Sequence, residues 1–283
     1  MRNTTLLCVG ELVLHDSAGD FLLVHGNDEF LSLARRAGPS GEVPLVRFSP
    51  EHASILAAAL EVVMAEPDAG ALEIRAAVDE LKVALVDSVR GRRVQVANLS
   101  RRRPGTNGPE SLDLDRHVVA ATVAALRGPR LAPLGPPRRG EVMQERGGRV
   151  AGVESDRGRT TVSSRTERMW ARASFPDGLR RVVAACLAMV VGNPGETAIR
   201  VAHVSRAGEG VLIERVATAS GGFPYVVANV RPGRPARPRR TVRLTEEMAA
   251  WVIRRLARDD DPVPIDGPLA RTTPDPPPLL GGR

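Results

Sequence analysis

Aromatic residues are scarce in this chain of 283 residues, since Phe, Trp and Tyr together make up 3% of it. The apolar fraction is nevertheless 42%, so a buried core must consist mainly of Val, Leu, Ala and Ile. Scarce aromatics also limit the stacking platforms that proteins use to bind single-stranded nucleic acid. Duplex DNA and RNA therefore stay open as ligands of any nucleic-acid site.

Cysteine is almost absent as well, because Cys8 and Cys186 are the only two. They exclude a disulfide framework and lack metal-site spacing. Cys186 lies in the apolar run VVAACLAMVV, which predicts a buried, unreactive thiol. That run is far shorter than the ~20 residues of a membrane span. The N-terminal segment lacks the features of a signal peptide. We therefore expect a soluble, cytoplasmic protein with no membrane partner.

Motifs of enzymes and metal sites are also missing. There is no phosphate-binding Gly loop after a strand, no paired-Cys or His-x-Glu metal pattern and no Gly-x-Ser-x-Gly elbow. The five histidines are scattered along the chain. We predict a protein that is not an enzyme and has no catalytic residues, no metal site and no cofactor. Catalytic groups drawn from distant positions would escape such a search.

A short strand followed by a capped amphipathic helix recurs along the chain. The clearest copies span residues 45–60, 111–126 and 241–256. Their candidate N-caps, Ser49, Asp115 and Thr245, lie 66 and 130 residues apart, which fits one and two periods of about 65. A fourth copy is expected near residue 180. Residues 169–190 supply it, with Ser174 or Asp177 as the candidate cap.

Four strand-like segments precede the helix in units one, two and four, and turn signals separate them. Units two and four also share Val-Ala-Asn, which ends at Asn98 and Asn229. Unit three has few apolar residues and is interpreted as a degenerate copy. The predicted fold class is α+β, with four tandem repeats of about 65 residues. Each repeat is an antiparallel four-stranded sheet followed by one helix, and the repeats are paired two by two.

The expected domain organisation follows from composition. Residues 1–129 hold repeats one and two as a pseudo-dimeric domain, and residues 141–258 hold repeats three and four. The segment 130–140 is rich in Pro and Arg and is predicted to be a linker. Residues 259–283 are predicted to be a disordered tail. Pairing of two units would cover surface that a single sheet with one helix leaves exposed.

The net charge is +7 and the sequence pI is about 10.8, which favours an anionic partner. Because Lys82 is the only lysine, GC-rich coding is an alternative source of this basicity. The arginines nevertheless concentrate in the predicted connection between the third and fourth strands of each unit. These candidate phosphate-binding residues are Arg35, Arg36, Arg101, Arg102, Arg103, Arg165, Arg168, Arg231, Arg234, Arg237, Arg239 and Arg240. A merely solvated loop and a site for an acidic protein are the alternatives.

Phe223 and Tyr225 are the best candidates for base stacking, because they open a strand beside the most basic connection. Phe21 and Phe30 are possible counterparts in unit one. Burial in the core is the alternative for each of these rings.

The pattern of four strands, a basic connection and a Ser/Thr-capped helix resembles the positive-cofactor-four type of transcriptional coactivator. It is also similar to the Pur-alpha and Whirly families. The matching residues are VRFSPEH (46–52) and VRLTEEM (242–248). The resemblance implies units that pair through their helices and curved sheets that bind single-stranded or partly melted nucleic acid. Here two units of one chain would form each pair.

These observations favour a non-enzymatic nucleic-acid-binding protein that binds single-stranded DNA or RNA or regulates transcription. The alternative is a protein-interaction or structural module that uses the repeats as a scaffold. Its motivation is the poor supply of aromatics and the segment PDPPPLL near the C-terminus. A homo-oligomer is compatible with either reading.

Overall fold

The computed structural model describes thirteen segments of the chain. They are residues 12–15, 21–26, 30–36, 44–65, 70–88, 91–102, 107–127, 141–144, 150–165, 170–203, 210–216, 224–231 and 241–257. The predicted linker at 130–140 and the predicted tail at 259–283 lie outside these segments, so both stay predictions.

The described elements are α+β, and four strands precede each of the four helices. The strands are β1 (Leu12–His15), β2 (Phe21–Gly26), β3 (Leu31–Arg36), β4 (Leu45–Phe48), β5 (Leu72–Arg75), β6 (Glu80–Ser88), β7 (Gly91–Arg102), β8 (Pro109–Leu114), β9 (Glu141–Gln144), β10 (Val150–Asp156), β11 (Arg159–Arg165), β12 (Trp170–Pro176), β13 (Ala198–His203), β14 (Gly210–Arg215), β15 (Tyr225–Val230) and β16 (Thr241–Leu244). The helices are α1 (Ala53–Ala65), α2 (Arg116–Arg127), α3 (Arg180–Gly192) and α4 (Glu246–Leu256). Short 3-10 turns, Pro50–His52 and Asp177–Leu179, lead into α1 and α3.

Within the described segments all strand pairs are antiparallel, and they form three sheets rather than the four expected. β1–β4 and β9–β12 each form a four-stranded sheet. β5–β8 and β13–β16 join through β5 and β13 into one eight-stranded sheet. At this junction Ile74 lies opposite Val201, and Arg75 lies opposite Arg200. Joining the two first strands removes two sheet edges that would otherwise expose unpaired backbone groups. It also joins strands from both predicted domains, whose boundaries stay a prediction.

Alternation along the strands places the core on one face of each sheet. In β12, Ala171, Ala173 and Phe175 are buried, whereas Trp170 and Arg172 are exposed. β8 shows the same period of two, with Leu112 and Leu114 buried. Small and branched residues fill this core, as the scarcity of aromatics requires.

The helices pack largely on strands of a neighbouring group. α1 contacts β6 and β7, and α3 contacts β13 and β14. In the opposite direction, α2 contacts β1 as well as β7 of its own group, and α4 contacts β10 as well as its own β16. α1 also contacts α2, and α3 contacts α4, so each helix covers apolar surface that its own strands alone do not bury. No described helix has the length and apolar character needed to cross a membrane.

The predicted caps of α1, α3 and α4 behave differently. The Thr245 side chain accepts a hydrogen bond from the Met248 N–H at 3.2 Å, so the predicted cap of α4 is confirmed. Ser49 precedes the 3-10 turn before α1 and makes no side-chain cap bond. Both expected caps of α3 were wrong, because Ser174 lies on β12, Asp177 lies inside the second 3-10 turn and α3 begins at Arg180.

Asn98 and Asn229, which the shared Val-Ala-Asn sequence singled out, both bond the last strand of the preceding group. The Asn229 amide donates to the Ser174 carbonyl at 2.9 Å and accepts from the Ser174 N–H at 2.8 Å. The Asn98 amide donates to the Arg47 carbonyl at 2.8 Å. Each asparagine therefore satisfies backbone groups at the join between β4 and β7 or between β12 and β15.

Replacing Asn229 with Ala removes both bonds and leaves two Ser174 backbone groups without these partners. We expect Asn229→Ala to lower the free energy of unfolding by about 1–3 kcal/mol. Urea titration followed by circular dichroism measures this change. The matched control is Asn107→Ala, whose exposed residue accepts a hydrogen bond through its main-chain carbonyl. The control should stay within about 0.5 kcal/mol of the parent chain, and an equal effect of both variants would contradict the assignment.

Candidate nucleic-acid interface

The outward face of the β9–β12 sheet carries an exposed tryptophan between arginines. Trp170 is 47% exposed. It lies directly opposite Arg165 on the neighbouring strand, and Arg172 is two residues further along β12 on the same face. The Arg172 guanidinium lies 4.9 Å from the centroid of the indole ring and that of Arg165 lies 5.7 Å away. Both distances are typical of cation–π contacts.

Small side chains lie in the row of residues next to the row that holds this tryptophan. Strand register places Gly152, Ser163 and Arg172 in one row across β10, β11 and β12. Gly152 has no side chain, and the Ser163 hydroxyl donates to the Gly152 carbonyl at 3.4 Å. Gly152 is buried and Ser163 is half-buried, so Arg172 is the largest side chain of these three.

This site combines one residue that the sequence predicted with two that it missed. Arg165 is exposed at the end of β11, as a phosphate-binding residue must be. Trp170 and Arg172 were not predicted to take part. Strand parity carried the signal, because Ala171, Ala173 and Phe175 form the inward set and leave Trp170 and Arg172 on the opposite face.

Several predicted arginines belong to strands rather than to connections. Arg35 and Arg36 lie on β3, and β7 continues through Arg101 to Arg102 after a register irregularity beyond Asn98. Arg102 is exposed and donates to the Asn107 carbonyl at 2.9 Å. The Arg101 Nε lies 3.6 Å from a carboxylate oxygen of the fully buried Asp79, so this arginine faces a protein charge.

The remaining predicted residues divide between one exposed position and several that the structure does not describe. Arg231 is exposed just after β15. Outside the described residues lie Arg103, Arg168, Phe223, Arg234, Arg237, Arg239 and Arg240.

Tyr225 is placed where it cannot serve as a stacking platform. Its residue is only 6% exposed and belongs to the hydrophobic core, and the Arg215 guanidinium lies 5.7 Å from its ring centroid. Burial raises the pKa of its hydroxyl. The prediction of base stacking is corrected for this residue, because its ring lies in the core on the same face of β15 as Val227.

A second polar cluster is buried where α1 begins. His52 is 3% exposed, and its Nδ1 lies 2.7 Å from Oδ2 of Asp79. Its Nε2 lies 3.5 Å from Oε2 of Glu196, which is also buried. Asp79 further accepts from the Ser49 N–H at 2.7 Å and from the Asn98 amide at 2.8 Å. The cluster joins the entry to α1, the turn between β5 and β6, and the segment before β13.

This environment holds the imidazole in its charged form. Burial alone would lower the pKa of His52, but the hydrogen bonds and charges of Asp79 and Glu196 outweigh it and raise that pKa to about 9. Burial opposes ionisation of Asp79 too. Its hydrogen bonds with His52, the Ser49 N–H and Asn98 nevertheless lower the pKa of Asp79 to about 2. This buried ion pair therefore joins the three segments that contribute to it.

Comparison with known proteins does not assign a family, because no family model and no curated protein matches this chain. Among the described residues, no group of three or more His, Cys, Asp and Glu side chains is placed to hold a metal ion. Cys186 is fully buried, and burial raises the pKa of its thiol far above the usual range.

The His52–Asp79 pair predicts a window of pH for stability. The His52 pKa is raised from 6.5 to about 9, so its contribution is complete below pH 6.5 and is lost as pH rises through 9. The Asp79 pKa is lowered from 3.8 to about 2, so its contribution is lost as pH falls through that range. We expect the free energy of unfolding to fall by up to about 3 kcal/mol between pH 6.5 and 9.5.

Urea unfolding at half-unit steps of pH measures this dependence. The comparison variant is His52→Gln with Asp79→Asn, which removes both charges and keeps side chains able to hydrogen bond. Its stability should vary less than that of the parent chain above pH 6.5. Parallel curves for the two proteins would show that His52 does not titrate as its contacts require.

Proposed function

We propose that the protein is a non-enzymatic nucleic-acid-binding protein built from four tandem units of four strands and one helix. The order of elements supports the repeated architecture. Each 3-10 turn with its helix, 50–65 and 177–192, has the same lengths, and the two copies are 127 residues apart. Asn98 and Asn229 make the corresponding bonds to the preceding unit. Units one and two would form one pair, and units three and four the other.

The charge on the described surface is the observation that carries the proposed function. In the described segments, eleven arginines are exposed, but only five aspartates and glutamates are. An excess of this size favours a polyanion, because each phosphate contact by a guanidinium releases bound counterions. The arginines are Arg75, Arg92, Arg102, Arg116, Arg157, Arg159, Arg165, Arg172, Arg231, Arg243 and Arg254.

Several of these arginines project from sheet faces that point away from the core. Arg165 and Arg172 do so from the β9–β12 sheet. Arg243 does so from the eight-stranded sheet, as does Arg75, whose Nε lies 2.6 Å from a carboxylate oxygen of Glu80. Register places their inward neighbours in the core, so the same strands that bury apolar side chains present these cations outward. Such a surface suits a phosphate backbone that crosses several strands.

Three arginines in the connection before β16 provide the test of this function. Arg237→Gln, Arg239→Gln and Arg240→Gln together should weaken binding to nucleic acid and flatten its dependence on salt. For single strands the slope of log affinity against log salt should lose roughly 0.7 for each phosphate contact removed. Fluorescence anisotropy of labelled single-stranded DNA, RNA and duplex DNA at several salt concentrations measures both quantities.

The matched control changes the same number of charges elsewhere, with Arg116→Gln, Arg157→Gln and Arg254→Gln at exposed positions outside this connection. Equal effects of the two triple variants would show that net charge alone, and not the connection, sets affinity. If the parent chain binds none of the three ligands at low salt, the proposed function is wrong. The protein-interaction alternative would then be favoured.

A further inference from the structure

We infer that the outward face of the β9–β12 sheet is a binding site for single-stranded nucleic acid, with Trp170 as the platform on which a base stacks and Arg165 and Arg172 as its phosphate-binding partners. This inference rests on the proposed function and adds to it the strandedness of the ligand and the residues that select it.

The exposure of Trp170 is the first argument. Large apolar side chains are rarely left in solvent, and Val78 and Trp170 are the only large hydrophobic residues that are exposed in the described segments. Trp251, the other tryptophan of the chain, is packed against the core from α4. An indole held on the outward side of a strand presents part of its aromatic surface to solvent, and a stacking platform needs such a surface.

The arginines beside the ring give the second argument. No ion pair joins Arg165 or Arg172 to a carboxylate among the described residues, and the indole is the partner that the structure records for each guanidinium. A cation–π contact at an exposed site is worth about a twofold to fivefold change in an equilibrium constant. Stacking of a base on an aromatic side chain is worth about fivefold to 150-fold. A base can therefore displace one guanidinium from the ring, and the released cation is then available to the adjoining phosphate.

The exposure of the indole favours single strands over duplexes. A single unstacked base can lie against the part of the ring that reaches solvent. Bases inside a duplex already stack on each other, and their faces are closed to a side chain. Among the described residues of this face, the carboxylate nearest to Trp170 along the sheet is that of Glu154, two rows away and opposite Thr161.

The two tryptophans make the site directly observable. Trp251→Phe leaves Trp170 as the only indole, so its fluorescence reports on this face alone. Titration with oligothymidylate or oligouridylate of about 20 nucleotides should quench that emission. The two oligonucleotides distinguish DNA from RNA as the preferred strand. A ligand that binds without changing the emission would overturn the stacking assignment.

Substitution of the ring tests its energetic role. Trp170→Ala should weaken binding of the preferred oligonucleotide by about fivefold to 150-fold, and Trp170→Phe should keep most of the affinity, because a ring remains. Binding of a duplex of similar length should change less than twofold. Thermal unfolding of both variants checks that the exposed position tolerates the change, and Trp251→Phe is the matched control.

The two arginines of the site are compared with two arginines at the opposite end of the same sheet. Arg165→Gln with Arg172→Gln should weaken single-strand binding more than Arg157→Gln with Arg159→Gln, although the charge change is the same. If the parent chain binds nucleic acid and both Trp170→Ala and the Arg165–Arg172 variant bind it equally well, this site is overturned and the proposed function still stands. A parent chain that binds no nucleic acid would overturn both.

Discussion

The structure depends on one constraint, which is that four strands and one short helix cannot bury an apolar sheet face by themselves. The longest helices have 13 residues and cover only part of a four-stranded sheet. The fold meets this constraint because helices pack on the strands of a neighbouring group. α1 lies on β6 and β7, and α3 lies on β13 and β14. Any one group separated from its neighbour would expose both its strands and its helix to water.

Polar contacts fix how these helices are oriented relative to one another. Arg127 on α2 donates two hydrogen bonds to the Glu61 carboxylate on α1, at 2.6 and 2.7 Å, and Arg181 on α3 binds the same carboxylate. One acidic side chain thus contacts two guanidinium groups from two other helices. Hydrophobic burial is not directional, whereas bidentate ion pairs are, so Glu61 selects the arrangement that burial alone leaves open.

The buried His52 cluster performs the same task at the sheet junction. Asp79 lies in the turn after β5 and Glu196 lies just before β13, and these are the two strands whose edges meet. The Ala77 N–H donates to Glu196 at 2.9 Å, which links the two segments directly, and His52 adds a positive charge between their carboxylates. Two buried carboxylates would repel each other without that charge. The join between β5 and β13 therefore relies on a proton bound to a residue of the first group.

Local patterns in the sequence predicted the elements well and their long-range arrangement poorly. Alternation and helical spacing are local properties, so the helices near Ser49, Asp115 and Thr245 could be located from them. The 3-10 turn at Asp177 was missed because Ser, Asp and Pro favour several kinds of turn. The junction of β5 with β13 was missed because edge pairing depends on which strands are left open after packing. The roles of His52 and Glu61 depend on partners between 27 and 120 residues away, and no spacing rule reaches so far.

Burial of one sheet face explains why the candidate site lies where it does. Because helices and neighbouring strands occupy the inward face of each sheet, only the outward face is available to a ligand. On β12 that face must alternate with Ala171, Ala173 and Phe175, which leaves the positions of Trp170, Arg172 and Ser174 outside. Ser174 contributes its backbone to Asn229, so the strand that carries the indole is bonded to the following unit. The proposed platform therefore lies on the strand through which the third group of strands is bonded to the fourth.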